Sequence, residues 1–578
     1  MPRPHQRGDA VTRESAALLR DAARHSAARR TALSVASVAS AGAGLLLPAA
    51  LGRALDLVLA HEPATRWVLL CTALVLLTTV LDAAETVLHG TVDARTTAWL
   101  RRRATGHVLA LGPRAQDRFP AGELVARLVS NATAAGTAPA ARAALPAAIA
   151  VPAGGVVALA VIDPWLAVVL LTGAPPLYLL LRALARDTSA CVADYQRVQG
   201  RMAATLAEAV AGRRTIRAAG LQERETARIL TPLPELSRAG HRMWRVQGRA
   251  AAQAVAVAPL LQLAVVAVAG LLLARHRLTA GELLAASRYA VLATGVGALV
   301  GRLTAVARAR AAAGRLGELH AVPAPRHGGR RLPRGGPGRL ELRGVSARRG
   351  ERTVLDGVDL VVPGGTTLAL VGRSGTGKSL LAALAARLAD PDAGEILLDG
   401  VPLRELSHKE LRTAVACAFD RPVLLGTTVG DALALGLPHP SPARIREAAR
   451  TAHADDFVRR LPAGYATACA EAPRSGGESQ RLGLARAFAR GGRLLVLDDA
   501  LSSLDTVTEH RITEALTAPG THGTRLLVAH RAATAARADA VAWLDGGRVR
   551  AVGPHATLWR DPGYRAMFAG ADPEGVRR

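Results

Sequence analysis

This chain of 578 residues predicts an α-helical membrane domain followed by an α/β nucleotide-binding domain. Three observations predict it. Six long apolar stretches precede residue 310, a segment rich in Pro, Gly and Arg covers 321–338, and beyond it short Val/Leu runs alternate with Ala/Arg-rich ones. Composition agrees with such a split: half of the residues are hydrophobic (50%) and the mean hydropathy is +0.20, yet 21% are charged.

The apolar stretches lie near residues 31–58, 67–88, 140–162, 164–185, 250–274 and 282–306. Each holds about 20 residues able to cross ~30 Å of hydrocarbon as a helix. Short loops join one to two, three to four (at Asp163-Pro164) and five to six. The other two gaps are long and arginine-rich, with Arg101, Arg102, Arg103 and Arg114 in the first and Arg197, Arg201, Arg213 and Arg214 in the second. Connections of that kind stay on the cytoplasmic side, which puts both termini inside. The gaps then read as helices extending into the cytoplasm, for example the amphipathic 202–218. The domain plan is residues 1–30 as a cytoplasmic segment, 31–320 as the membrane domain of six helices, 321–338 as a linker and 339–578 as the second domain. The polar, arginine-rich first 30 residues lack the apolar run of a cleavable signal peptide.

Formal charge is +27, from 73 basic and 46 acidic residues. Nucleic-acid binding is the first alternative for such a balance. Aromatics make up only 3%, however, and the arginines sit between apolar stretches rather than in one patch, so no nucleic-acid partner is expected. Cys71, Cys191, Cys417 and Cys469 form no C-x-x-C pair and no metal-ligand spacing with His, and read as small inert hydrophobes. Asp82, Glu85, Arg142, Gln262 and Arg288 are polar residues within the stretches. Intramembrane charges are costly and mark pathways or buried pairs. Asp82 and Glu85, one turn apart, either face a cavity and meet a cationic substrate or sit at the membrane boundary as ordinary polar residues.

The second domain carries the chemistry. Residues 372–379 read Gly372-Arg373-Ser374-Gly375-Thr376-Gly377-Lys378-Ser379, which fits the phosphate-cradling P-loop pattern. The chain has only two lysines, Lys378 and Lys409, so a chance match is improbable. The apolar run 367–371 before it and the Ala/Leu-rich segment after it place the loop between a strand and a helix. Glycines let backbone N–H groups turn toward phosphates, and the helix N-terminus adds positive partial charge. Lys378 would reach the β- and γ-phosphates and the Ser379 hydroxyl would bind Mg²⁺. ATP with Mg²⁺ is the expected cofactor pair.

Further motifs follow in order. The apolar run 494–497 ends in Asp498, which can hold Mg²⁺ through water. Before it, Arg474-Ser475-Gly476-Gly477-Glu478 opens a helix, a second anion site. After it come Ser502-Ser503-Leu504-Asp505 and, at the end of the apolar run 526–529, His530.

Together these resemble the ATP-binding cassette transporters, in particular half-size exporters, over nearly the whole chain. Ser475-Gly476-Gly477 matches the centre of the family's signature, Ser503-Leu504-Asp505 its D-loop and His530 its switch histidine. In the membrane half, 119–124 and 208–216 resemble the family's two cytoplasmic-loop segments. The resemblance implies head-to-tail pairing of two cassettes, with each ATP between one P-loop and the opposite signature. A second half-transporter is therefore an expected partner, besides the lipid bilayer and a hydrophobic, lipid-like or peptide substrate. It also implies a multi-pass bacterial plasma-membrane protein with its cassette in the cytoplasm.

Three departures fall on this chain's own P-loop side. Asp499 stands where hydrolytic members carry a Glu that orients the attacking water. Its carboxylate is retracted by about 1.5 Å, one C–C bond, and a misplacement near 1 Å can cost ~10²-fold in rate. Asp420 stands at the Q-loop glutamine, where a carboxylate can still bind Mg²⁺ but adds negative charge near the phosphates. Arg349 stands where an aromatic stacks on adenine, and a guanidinium plane can stack too. The signature centre survives. This asymmetry resembles the degenerate-site subunit of a heterodimeric exporter, with a homodimer hydrolysing slowly through Asp499 as the alternative. Import, or an ATP-binding regulatory membrane subunit, remain rival readings.

Overall fold

The computed structural model describes residues 4–295, 297–350, 352–472, 475–517 and 523–568. It divides into two compact units. One takes the residues up to His107 together with Ala121–Val322; the other takes Val108–Pro120 and the chain from Pro323 onward.

The first unit is helical. Ala27–Leu59, Thr65–Leu111, Leu145–Ile162 and Ala280–His320 are long and apolar enough to cross a membrane. The remaining two apolar stretches lie on the long helices Pro164–Ala211 and Leu233–Ala274, whose described apolar portions are Pro164–Gly173 and Pro259–Ala274. Helix starts are set locally. Asp163 caps Pro164–Ala211 by accepting from the Trp165 N–H at 2.9 Å, and Pro164 occupies a first-turn position where no N–H is needed. Thr279 and Glu282 form a reciprocal capping box at Ala280–Thr294.

Small residues let these helices meet. A Cβ on Gly52 would lie 2.5 Å from the Gly281 carbonyl oxygen, so Ala27–Leu59 and Ala280–Thr294 touch backbone to backbone. Leu159, Leu166, Val265, Ala286 and Ala290 form the buried core beside that contact. Intramembrane polar groups pair: Gln262 donates to Thr294 at 2.8 Å and Tyr289 to the Leu45 carbonyl at 2.8 Å. The predicted helix over 202–218 is interrupted. Pro164–Ala211 ends at Gly212 and Arg213–Ala218 begins anew, because glycine at Gly212 weakens helix continuation. The last two helices, His555–Leu558 and Pro562–Phe568, stay separate, since Pro562 cannot supply the N–H a continuous helix needs.

The second unit has two sheets. An antiparallel one runs Arg352–Val362, Leu340–Arg349, Ala393–Leu398, Val401–Pro402. The larger one runs, in order, Arg548–Gly553, Ala540–Asp545, Thr367–Val371, Thr524–Val528, Leu494–Asp498, Val415–Phe419. Its last five strands are parallel. Thr367–Val371 and Thr524–Val528 are buried at every residue, Arg525 included, as strands in a covered parallel sheet should be. The segment Val108–Pro120 belongs with this unit, and the Arg114 guanidinium lies 3.4 Å from the Asp390 carboxylate.

Candidate functional site

Ligand sites in parallel sheets lie beyond the carboxyl ends of the strands. Four neighbouring strands here end side by side. Thr367–Val371 leads into the P-loop, Thr524–Val528 toward His530, Leu494–Asp498 into Asp499, and Val415–Phe419 into Asp420. The sheet order thus gathers residues more than 150 positions apart.

The P-loop turns on its glycines. Gly375 and Gly377 have φ of 83° and 104°, a region other residues rarely adopt. A Cβ on Gly377 would lie 2.8 Å from Leu355, so the loop sits directly on the strand Arg352–Val362. A Cβ on Gly372 would lie 2.4 Å from the Leu544 carbonyl oxygen. Thr376 donates its hydroxyl to the Arg373 carbonyl at 2.9 Å, while Ser374 is exposed. Lys378, buried at the start of Lys378–Ala385, donates to the Gly372 carbonyl at 2.7 Å and the Arg373 carbonyl at 3.1 Å. Burial holds its ammonium below the usual lysine range, against the opposing pull of Asp499 and Asp498.

Asp498 faces this loop. Burial pushes its carboxyl up, the Ser379 hydroxyl hydrogen-bonded to it pulls down, and Asp499 and Asp420 add to the rise. Its Oδ1 is buried and has no hydrogen-bond partner among the described residues. An orphaned carboxylate oxygen beside a serine hydroxyl matches the hard oxygen donors Mg²⁺ prefers. Asp499 adopts φ 51°, and its Oδ1 lies 2.6 Å from His530 Nε2.

Asp420 is held by its neighbours. Its Oδ1 already accepts from Gln480 Nε2 at 3.0 Å and from Ser502 Oγ at 2.9 Å. Gln480 was not singled out from sequence. It is 1% exposed and also accepts from the Ser503 N–H at 2.9 Å, tying the Q-loop position to the signature helix and the D-loop. A polar side chain on the buried face of an otherwise Ala/Leu-lined helix was the available signal.

The signature forms a second group. Ser475 caps Gly476–Arg490: its hydroxyl accepts from the Glu478 N–H at 3.2 Å, and the Glu478 carboxylate accepts from the Ser475 N–H at 2.8 Å. Gly476 and Gly477 pack on the D-loop, where a Cβ on Gly477 would lie 3.1 Å from the Ser503 carbonyl oxygen. Arg474 lies outside the described residues. Asp505 accepts from the Thr508 N–H at 2.9 Å, which holds its carboxyl below the usual range. Arg349 is exposed at the tip of the hairpin whose second strand carries Leu355 against the P-loop. The structure therefore gathers Gly372–Ser379, Asp498, Asp499, His530 and Asp420, and Gln480 and Ser502 tie the signature helix and the D-loop to Asp420.

This geometry has matches among known proteins. The ABC transporter family pattern covers residues 355–502, and the ABC transporter transmembrane-region pattern covers 31–295. The ABC transporter ATP-binding protein RamA of Streptomyces coelicolor is 53% identical over 532 residues, spanning 92% of this chain and 84% of the relative. This chain belongs to the ABC transporter family. The multidrug efflux ATP-binding/permease protein Rv0194 of Mycobacterium tuberculosis is 37% identical over 63% of this ABC transporter chain, which spans 31% of it. An ATP-dependent lipid A-core flippase of Alkalilimnicola ehrlichii is 40% identical over 43% of each chain. The solved structure of a bacterial Atm1-family ABC exporter with ATP bound superposes with a TM-score of 0.78 at 24% identity, over 95% of this chain and 99% of that one, which shows the shared fold. As a half-transporter, this ABC transporter binds ATP, couples ATPase activity to transport, crosses the plasma membrane several times and works as a dimer.

Proposed function

We propose that this half-transporter exports a hydrophobic, lipid-like or peptide substrate by alternating access, paired with a second, different half-transporter. The single observation that carries the pairing is the asymmetry of the site. The signature helix is fully capped, with Ser475 and its two glycines in place, while the P-loop side carries Asp499, Asp420 and Arg349. In this reading the chain's P-loop, Lys378, Ser379 and Asp498 hold an ATP and Mg²⁺ that mostly remain bound. Its signature completes the hydrolytic site on the partner. Asp499, short by one methylene and engaged with His530 at 2.6 Å, is poorly placed to orient water as well. The flippase and efflux relatives support an amphipathic cargo.

The test is turnover by the isolated chain in nanodiscs. It should bind ATP and show little Mg²⁺-dependent hydrolysis, rising when a hydrolytic partner is added. Robust hydrolysis by the chain alone, abolished in Asp499→Asn, would make Asp499 a competent base and favour the homodimer. Import is a second reading, because a 40%-identical stretch is shared with a mycobactin import ATP-binding/permease protein of Mycolicibacterium smegmatis. Accumulation of substrate in inverted vesicles separates the two directions.

A further inference from the structure

Two adjoining cavities in the membrane unit share His89 and Arg302 in their walls. One, of about 530 Å³, is also lined by Asp82, Glu85 and Thr86. The other, of about 480 Å³, is lined by the small residues Ala134, Ala141, Ala298 and Gly301 and also by the charged Asp93 and Arg308. These are the dimensions of a pocket for a small amphipathic molecule. Gly90 and Gly301 face open space, since a Cβ on either would meet nothing within 4 Å.

The charges in the first cavity do not balance. Asp82, Glu85, His89 and Asp93 recur every three or four residues along Thr65–Leu111, so they share one face. Arg302, on Gly297–His320, is the resident cation. Its guanidinium lies 3.4 Å from the Glu85 carboxylate and donates to His89 Nε2 at 2.7 Å. Arginine only donates, so His89 Nε2 accepts from it, and His89 Nδ1 lies 3.4 Å from the Asp93 carboxylate. Arg302 is thus committed to Glu85 and His89. Asp82 is left with a neutral partner, the Ser40 hydroxyl, which donates to it at 2.6 Å. Asp82 is exposed, and among the described residues no cation pairs with it, so one negative charge of the Asp82–Glu85–Arg302 group is left without a counter-cation.

We infer that the Asp82–Glu85 wall binds the protonated amine of an amphipathic substrate, whose apolar body lies in the adjoining alanine-lined cavity. The incoming cation supplies the charge that Asp82 lacks. Arg302 keeps Glu85 in place and sets the limit of one extra positive charge, so the site selects monocations over anions and neutral molecules. This inference rests on the transport reading above, of which it specifies the substrate class.

Dansylcadaverine, an amphipathic primary amine, and its neutral N-acetyl derivative serve as matched probes for the full chain in nanodiscs, with empty nanodiscs subtracted. The amine should bind more tightly than the acetylated probe. Asp82→Asn should weaken amine binding at least about tenfold, as loss of a partly desolvated charge partner does, and leave the acetylated probe unaffected. Asp82→Glu, which keeps the charge, should retain the preference. Equal binding of the two probes, no binding of the amine, or equal losses in Asp82→Asn and Asp82→Glu would each overturn the inference. Binding is read without ATP or a partner, so a failure of ATP-driven export would refute the transport reading and leave this site standing.

Discussion

At the scale of single residues, the chemistry turns on what Asp499 and Asp420 can still reach. Asp499 touches His530, and in the proposed function its carboxylate is one bond short for orienting water. Asp499→Glu in the isolated chain should therefore raise ATP turnover, by up to ~10² if the deficit is one of placement, measured as phosphate release at saturating ATP. An unchanged rate would point to Asp420 or Arg349 as the limiting departure. The two halves of the site should also separate. In the reconstituted pair, Ser475→Ala with Gly477→Asp should lower turnover by ~10²–10³, the usual cost of losing donors to transition-state charge. Lys378→Ala should weaken nucleotide retention and leave a measurable fraction of turnover. Greater damage from Lys378→Ala would place hydrolysis on this chain's own P-loop.

At the scale of elements, two contacts impose limits that side-chain chemistry alone does not. Ser475 caps the helix Gly476–Arg490, and its loss costs about 1 kcal/mol of helix stability apart from any phosphate contact. Ser475→Asn keeps a cap, so comparing it with Ser475→Ala separates the structural part from the chemical one. In the membrane unit, Gly52 is pressed against Gly281, whereas a Cβ on Gly42 of the same helix meets nothing within 4 Å. Gly52→Val should destabilise the chain by about 1–3 kcal/mol through overpacking, seen as a lowered melting midpoint in detergent. Gly42→Ala should be silent. Equal midpoints for the two would mean that this helix contact does not limit stability.

At the scale of the whole molecule, topology is the quantity to measure. Arginine placement predicts both long connections and both termini in the cytoplasm. Cysteine reporters belong at exposed positions. Residue 163 is a poor choice, because Asp163 is 4% exposed and paired with Arg277 at 2.9 Å while capping a helix. In a cysteine-free background, reporters at Glu62 and Arg275 should react with an impermeant maleimide from outside intact cells, and those at Gln222 and Arg224 only after lysis. Labelling of intact cells at 222 would overturn the six-span arrangement.

The order of the motifs from Gly372 to His530, the apolar stretches and the family were legible in the sequence, because each rests on local patterns: glycines that permit a turn, periodicity that makes a helix apolar, a run of Val and Leu that makes a buried strand. The interruption at Gly212 was not, since an amphipathic pattern continues through it and only the backbone shows the break. Nor was the role of Gln480, whose partners Asp420 and Ser502 are 60 and 22 residues away. The same holds for the Asp82 cavity, where the sequence left open an intramembrane ligand or a boundary polar group. Sequence spacing places Asp82 and Glu85 on one helix face by itself. Only tertiary structure decides that Arg302, more than 200 residues away, takes Glu85 and that no cation among the described residues pairs with Asp82, because pairing of charges depends on distance in space and the chain reveals only distance along itself.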